Sequence, residues 1–370
     1  MKDTAVPLDQ LVPEHIKGFE AYIPSQPDDM LKKLYGLETL HRLNNNENPL
    51  GPAPAAWPVL ENFPPREAAI YPSGDAWHLR RALGERFGLD PDQFIVGNGA
   101  NEVIAFVIKA FCREGDNIVT ADKTFAVYEW VAEFSGFKAR LVPLKDFAFD
   151  PETMLSAIDE RTKIIFICNP NNPTGTWWKR DQLEAFLERV GGRRIVVLDE
   201  AYCEFVEDDE FPDGIEFLQR YPNLVTFRTF SKMYGLAGLR IGYLAGSREV
   251  VDIIRRTCVV YSINTLAQAA ALEAVNDDDH VRRTRDHIAG EKRKLLPRLE
   301  KLGLEYQSDA GCFVMIRLPF SDTLAYRKFM FKGIMIRSMT GFRFPNWIRV
   351  SIGSSAAMEA FATALEEIIA

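Results

Sequence analysis

Short apolar runs alternate with helix-like stretches from about residue 93 onward, and that alternation predicts a largely parallel, doubly wound sheet. The strand candidates are FIVGN (94–98), NIVTA (117–121), ARLVPL (139–144), KIIFIC (163–168), RIVVLD (194–199) and LVTFRT (224–229). Several are continuously apolar, the pattern of strands covered by helices on both faces. Between them lie stretches such as EVIAFVIKAF, whose apolar residues recur at helical spacing. After about Thr257 the texture changes. A long helical stretch leads to CFVMIRL (312–318) and WIRVSIG (347–353), then to the helix-like AAMEAFATALEEII. Residues 1 to about 50 are irregular and punctuated by proline, which predicts an arm over the surface. The expected organisation is an arm over 1–50, a large α/β domain over 51–256 with a mostly parallel sheet covered by helices, and a smaller α+β domain over 257–370.

A chain of 370 residues exceeds what one hydrophobic core usually supports, which agrees with two domains. The net charge of -8 leaves no basic footprint for nucleic acid, so anionic ligands have to be met by local features. No apolar run approaches the roughly 20 residues needed to span a bilayer, and MKDTAVPLDQ lacks the apolar core of a signal peptide. Five cysteines without a CxxC pair suit a reducing cytosol, so a cytoplasmic location is expected. His15, His41, His78, His280 and His287 show no metal-ligand spacing, and no metal site is expected.

Four segments carry chemistry. In RTFSKMYGLAGLRIGY (228–243), Lys232 follows an apolar strand. Alone it would be a solvated surface charge. Ser231 and Arg240 flank it with a hydroxyl and a cation, which suits an anion beside an amine, and Gly235 and Gly238 permit close backbone approach. A lysine amine in such a site can form a Schiff base with an aldehyde cofactor. In VLDEAYCEF (197–205), Asp199 ends an apolar strand, where open α/β sheets bind ligands. It serves equally well as a helix cap. CNPNNPTG (168–175) is a turn by composition, but at a strand end it also presents the Asn172 amide. GNGANEVIAF (97–106) has the form of strand, glycine turn and helix start, a geometry that points backbone N–H groups at a phosphate.

Taken in order, YPSGD, GNGANE, NPNNPTG, DEAY, SK…GLAGLRIGY and IRVSIG resemble a fold-type I, pyridoxal-phosphate-dependent aminotransferase of class I/II. AYIPSQP and LNNNENPLGP (43–52) make the chain most similar to the histidinol-phosphate aminotransferase subgroup, and the likeness runs from about Tyr22 to the C-terminus. The resemblance implies a large domain with a seven-stranded type of sheet and pyridoxal 5'-phosphate as cofactor. It implies that Lys232 is the Schiff-base lysine and proton carrier, and that Asp199 partners the pyridine nitrogen. Tyr202 and Asn172 would hold the ring hydroxyl. The backbone amides of Ala100 and Asn101, with Ser231 and Arg240, would hold the phosphate. Tyr71 would reach that phosphate from a second subunit, which implies a homodimer with shared sites. Phe125, in KTFAVY, falls where the family stacks an aromatic on the ring. Arg349 would bind the substrate's carboxylate or phosphate, assisted by Arg337, with Tyr22 approaching from the N-terminal arm.

Three departures stand out: the first is compatible with phosphate binding by backbone amides, and the other two bear on the substrate. Ala100–Asn101 stands where the subgroup usually has Ser-Asp, Gly311–Cys312–Phe313 stands where it often has Ala-Asn-Phe, and Trp177–Trp178 adds aromatic surface after NPTG. Cys312 is expected to act as a small buried hydrophobe. Phe125 and Trp177–Trp178 suggest an apolar slot for a planar ring beside the cationic pair Arg337 and Arg349. Histidinol phosphate fits both features, aromatic amino acids almost as well, with 2-oxoglutarate as keto-acid acceptor. A decarboxylase or cyclase on the same scaffold is the alternative. A dinucleotide oxidoreductase is excluded, because GNGANE lacks the full GxGxxG fingerprint.

Overall fold

The structure, a computed structural model, describes residues 6–20 and 26–370. Its organising element is a seven-stranded sheet. In chain order the strands are β1 (Phe94–Gly97), β2 (Asn117–Ala121), β3 (Lys138–Val142), β4 (Thr162–Cys168), β5 (Ile195–Asp199), β6 (Leu224–Thr229) and β7 (Gly242–Gly246). Their spatial order is β1-β7-β6-β5-β4-β2-β3. All neighbours pair in parallel except β7, which runs antiparallel to β1 and β6. The six expected strands are present, two with the expected bounds and four with ends shifted by one or two residues, and β7 is an addition that the hydrophobic pattern did not predict. Ile164, Ile165, Val196, Val197, Leu224 and Val225 are fully buried or nearly so, as helix cover on both faces requires.

A second, four-stranded antiparallel sheet contains β8 (Tyr306–Gln307), β9 (Phe313–Arg317), β10 (Arg337–Ser338) and β11 (Trp347–Ser351), in the order β10-β11-β9-β8. Its register sets Arg337 opposite Arg349. The C-terminal helix Ser355–Ile369 packs Met358, Phe361, Ala362 and Leu365 into the core of this sheet.

Two large apolar cores result, beside two small clusters around Trp347 and Met335. The first surrounds the large sheet and extends through the helix Thr265–Ala274 to Val281; the second gathers Leu43, Tyr202, Ile288 and the small sheet. The long helix Asp278–Lys301 feeds both, so the cores meet along it.

The N-terminal segment departs from expectation. Instead of staying on the surface, His41–Arg42 pairs in parallel with Ile334–Met335, and the Ser351 N–H donates to the Leu43 carbonyl at 2.9 Å. Backbone pairing to the small sheet draws residues 43–46 into the interior, where Asn44 and Asn46 are buried. Among the described residues no helix is long and apolar enough to cross a membrane.

Candidate active site

Parallel strands place their C-terminal ends on one edge, and the loops that leave this edge hold the polar residues. Register aligns Cys168 with Asp199 and Asp199 with Phe227, so the loops after β4, β5 and β6 start side by side. Gly242 pairs with both Gly97 and Thr229, which brings the turn after β1 next to the loop after β6.

That first turn ends at Gly99 with φ 76°, and the helix Ala100–Phe111 begins immediately after it. A Cβ on Gly99 would lie 2.6 Å from Arg240 Nη2, so glycine is what lets the guanidinium reach the helix N-terminus. The N–H groups of Ala100 and Asn101 open this helix, leaving them without intrahelical acceptors. Ser231 is buried nearby in the loop after β6, its N–H donating to Thr229 Oγ1 at 3.0 Å. The helix N-terminus with Arg240 against it can hold an anion, and Ser231 lies one loop over.

Lys232 follows. Its amine donates to the Asn45 carbonyl at 2.7 Å. Burial pushes the amine down to about 8, helped by Arg349 and Arg240 and opposed by Cys312 and Glu47. Asp199, at the end of β5, is buried; that burial raises its carboxyl to about 6 even though Tyr128, the Ala201 N–H and Cys168 all favour the charged form. The Tyr128 hydroxyl donates to Asp199 Oδ2, and the Ala201 N–H to Oδ1 at 3.0 Å. Tyr128 is fixed by stacking on Phe166 at 4.8 Å and by the edge of Phe125 at 5.6 Å.

Tyr202 reaches out of the β5 loop into the second core, where its hydroxyl accepts from Asn46 Nδ2 at 2.8 Å. Arg349, on β11, is buried. It donates through Nη1 to Asn172 Oδ1 and through Nη2 to the Asn44 carbonyl at 2.9 Å, while its Nε has no partner among the described residues. Burial lowers its guanidinium to about 10, with Tyr202 opposing and Arg337 adding to the shift. The two guanidiniums share the Phe342 ring, each 5.7 Å from its centroid. An arginine held this way, its Nε unpaired, can bind a carboxylate or phosphate as a planar fork.

Trp177 and Trp178 lie away from the expected ring slot, Tyr71 is expected at a second subunit's site, and one expected residue falls outside the described residues. Tyr71 is 81% exposed and stacks on Tyr261 at 4.9 Å, away from the chain's own Lys232 contacts. Trp178 corrects the expected aromatic slot: its indole donates to the Phe149 carbonyl at 2.7 Å and packs on Phe186 in the first core. Trp177 packs instead on Phe211. A ring slot therefore cannot use Trp178, and Phe313 and Phe342 are the aromatics that face Arg349. Tyr22 lies outside the described residues. Cys312 is buried and free, as expected. The site also contains residues not singled out in the sequence. Tyr128 had a signal, three residues after Phe125 and next to it in the fold; Asn44, Asn45 and Asn46 had only their place in LNNNENPLGP.

Residues 38–365 match the family model for aminotransferase class I and II. The chain belongs to that family. It is an aminotransferase. It is 37% identical over 357 residues to histidinol-phosphate aminotransferase 2 of Pseudomonas aeruginosa, covering 96% of each chain. It is 36% identical over 358 residues to the histidinol-phosphate aminotransferase of Moorella thermoacetica, covering 96% of this chain and 92% of that one. Among solved structures, the aminotransferase superposes on histidinol-phosphate aminotransferase from Sinorhizobium meliloti, in complex with pyridoxal-5'-phosphate, with a TM-score of 0.87, 26% identity and 97% of each chain covered.

Proposed function

We propose that this aminotransferase uses pyridoxal 5'-phosphate to move an amino group from histidinol phosphate to 2-oxoglutarate, with Lys232 taking the cofactor as a Schiff base. The observation that carries the reading is the buried Lys232 amine, pushed down to about 8 by burial, in the loop after β6 on the same sheet edge as the buried Asp199 carboxyl and the helix N-terminus at Gly99. The residues fit the cofactor. Gly99, Ala100, Asn101, Ser231 and Arg240 suit its phosphate, Asp199 its pyridine nitrogen, Asn172 and Tyr202 its ring oxygen, and Phe125 its face. When bound, the cofactor supplies an electron sink that lets the substrate's α-proton leave.

The chain's own residues do the rest. An amine near 8 is partly unprotonated at neutral pH, so Lys232 can accept the α-proton from the substrate and return it at the neighbouring carbon. Asp199, kept anionic by Tyr128 and the Ala201 N–H, holds a proton on the pyridine nitrogen. Arg349 binds the anionic group of each substrate in turn, with Arg337 one strand over adding charge. Asn172 joins the two ends of the site, since its oxygen takes Arg349 while its amide nitrogen is left for the cofactor. The relatives' names support histidinol phosphate as donor, and a phosphate matches the paired arginines. In the same reading the enzyme is a cytoplasmic homodimer, with Tyr71 completing the neighbour's phosphate site.

The test is a half-reaction screen that follows the cofactor's absorbance as histidinol phosphate, histidinol, phenylalanine and tyrosine are added. Removing the phosphate leaves the buried Arg349 and the half-buried Arg337 without their anion, so histidinol should fall at least roughly a hundredfold below histidinol phosphate in kcat/KM. Phenylalanine or tyrosine exceeding histidinol phosphate refutes the substrate.

A further inference from the structure

Asn46 holds a left-handed backbone (φ 57°) and is 1% exposed. Asparagine and aspartate accept that conformation more readily than other residues with a Cβ. The Asn46 N–H donates to Ser351 Oγ at 2.8 Å, and Ser351 Oγ donates to Asn46 Oδ1 at 2.9 Å. Asn46 Nδ2 donates to the Tyr202 hydroxyl at 2.8 Å, and the Asn46 carbonyl faces Cys312 Sγ at 3.7 Å. Ser351 determines the orientation of the amide. Its oxygen already accepts the backbone N–H, its single hydrogen goes to the amide oxygen, and the amide nitrogen is left for Tyr202.

We infer that Asn46 is a positioning residue for the reaction: by donating into the Tyr202 oxygen it commits the one phenolic proton to the cofactor's ring oxygen. The inference rests on the pyridoxal-phosphate reading above. Among the described residues Tyr202 Oη has no hydrogen-bond partner other than Asn46, so its proton is available to a ligand. Hydrogen bonds in series polarise one another, so the chain from Ser351 through Asn46 makes Tyr202 a stronger donor. The charged and titratable groups around the phenol are Cys312 from the turn before β9, Arg349 from β11 and Cys168 from β4. Burial raises the phenol well above its ordinary value, so it stays protonated and able to donate across the working pH range. Neither thiol nor the guanidinium is hydrogen-bonded to Tyr202, which leaves Asn46 as the group that decides where the proton points.

The test compares holoenzymes. Asn46→Asp keeps the shape, the backbone tolerance and the acceptor for Ser351, but replaces the donor to Tyr202 with an acceptor. The phenolic proton then turns back toward the new carboxylate, and the ring oxygen loses its donor. The readout is the pH at which the bound cofactor's visible absorption changes. An anionic oxygen deprived of a donor holds protons more tightly, so the midpoint should rise by about one pH unit. Tyr202→Phe should raise it similarly, and Asn46→Asp should add nothing in the Tyr202→Phe background. Ser351→Ala should raise it less, and serves in place of Asn46→Asp if that variant does not fold. An unshifted midpoint in the Asn46 variant (or in its Ser351 substitute) beside a shifted Tyr202→Phe overturns the inference and leaves the pyridoxal-phosphate reading standing. A shift of equal size in the Tyr202→Phe background overturns it too, because the charge of the new carboxylate or a general packing defect would then be the cause. An unshifted Tyr202→Phe removes the Tyr202 assignment and the inference together, whereas a wild-type protein that takes up no cofactor overturns the reading itself.

Discussion

Lys232 offers the most direct measurement of whether this site is built for an aldehyde. Its amine titrates near 8 instead of the ordinary 10.5. At pH 7 roughly 9% of such amines are unprotonated, against about 0.03% at the ordinary value, a gain of about 300-fold in the reactive form. Burial is the largest cause and Arg349 a smaller one, so replacing Arg349 by glutamine should move the midpoint up without restoring it fully. The same shift predicts the pH dependence of stability. The folded value lies below the unfolded one, so the apoprotein carries the cost in full below about pH 8 and sheds it as the pH rises from about 8 toward 10.5. At most this amounts to about 3 kcal/mol, and Lys232→Met should raise the apoprotein's Tm at pH 7 by removing it. The assay is competitive acetylation of the apoprotein across a pH series, with the Lys232 peptide quantified by mass spectrometry against exposed lysines of the same digest. A Lys232 midpoint indistinguishable from those lysines refutes the reasoning, because neither the burial nor the neighbouring cations would then be acting on the amine.

Two further outcomes are expected. Asp199→Asn should still bind the cofactor but lose roughly a thousandfold or more in turnover, since an amide cannot keep the pyridine nitrogen protonated; a variant with over a tenth of wild-type activity would reduce Asp199 to a strand-end cap. Tyr71, Val260 and Tyr261 are exposed at 81%, 67% and 50% on one patch, so light scattering should find a dimer at assay concentration, and Tyr71→Ala should weaken cofactor binding without unfolding the protein. An active monomer contradicts this.

The large sheet was legible because most of its strands bury both faces. A run such as KIIFIC leaves few alternatives, and turn residues punctuate it on either side. β7 escaped because Gly242 and Gly246 bound it and only three residues lie between, too short and too glycine-rich to stand out. Gly242 fits closely there, since a Cβ would meet the Arg228 carbonyl at 3.0 Å. Trp178 misled for a related reason. Composition shows that an aromatic follows NPTG but not which way it faces, and a neighbouring core with an open carbonyl at Phe149 took the indole.

The asparagine run shows where local pattern stops being informative. LNNNENPLGP is polar and holds a proline, so propensity assigns it to a loop, and loops ordinarily lie at the surface. What overrides that preference is backbone pairing of His41–Arg42 with Ile334–Met335 and of Leu43 with Ser351 of the small sheet, which carries the asparagines inward. Drawn inward, their polar groups seek partners, and those available there are the reactive ones, although the buried Asn44 Oδ1 finds none among the described residues. Asn44 takes Arg349, Asn45 takes Lys232 and Asn46 takes Tyr202, across separations of 305, 187 and 156 residues. No window of sequence spans such distances. Two of these three contacts use main-chain carbonyls, which any residue could supply, so at Asn44 and Asn45 the side chain's identity leaves no trace of the contact. Only Asn46 acts through its side chain, and only there should the amide itself be irreplaceable.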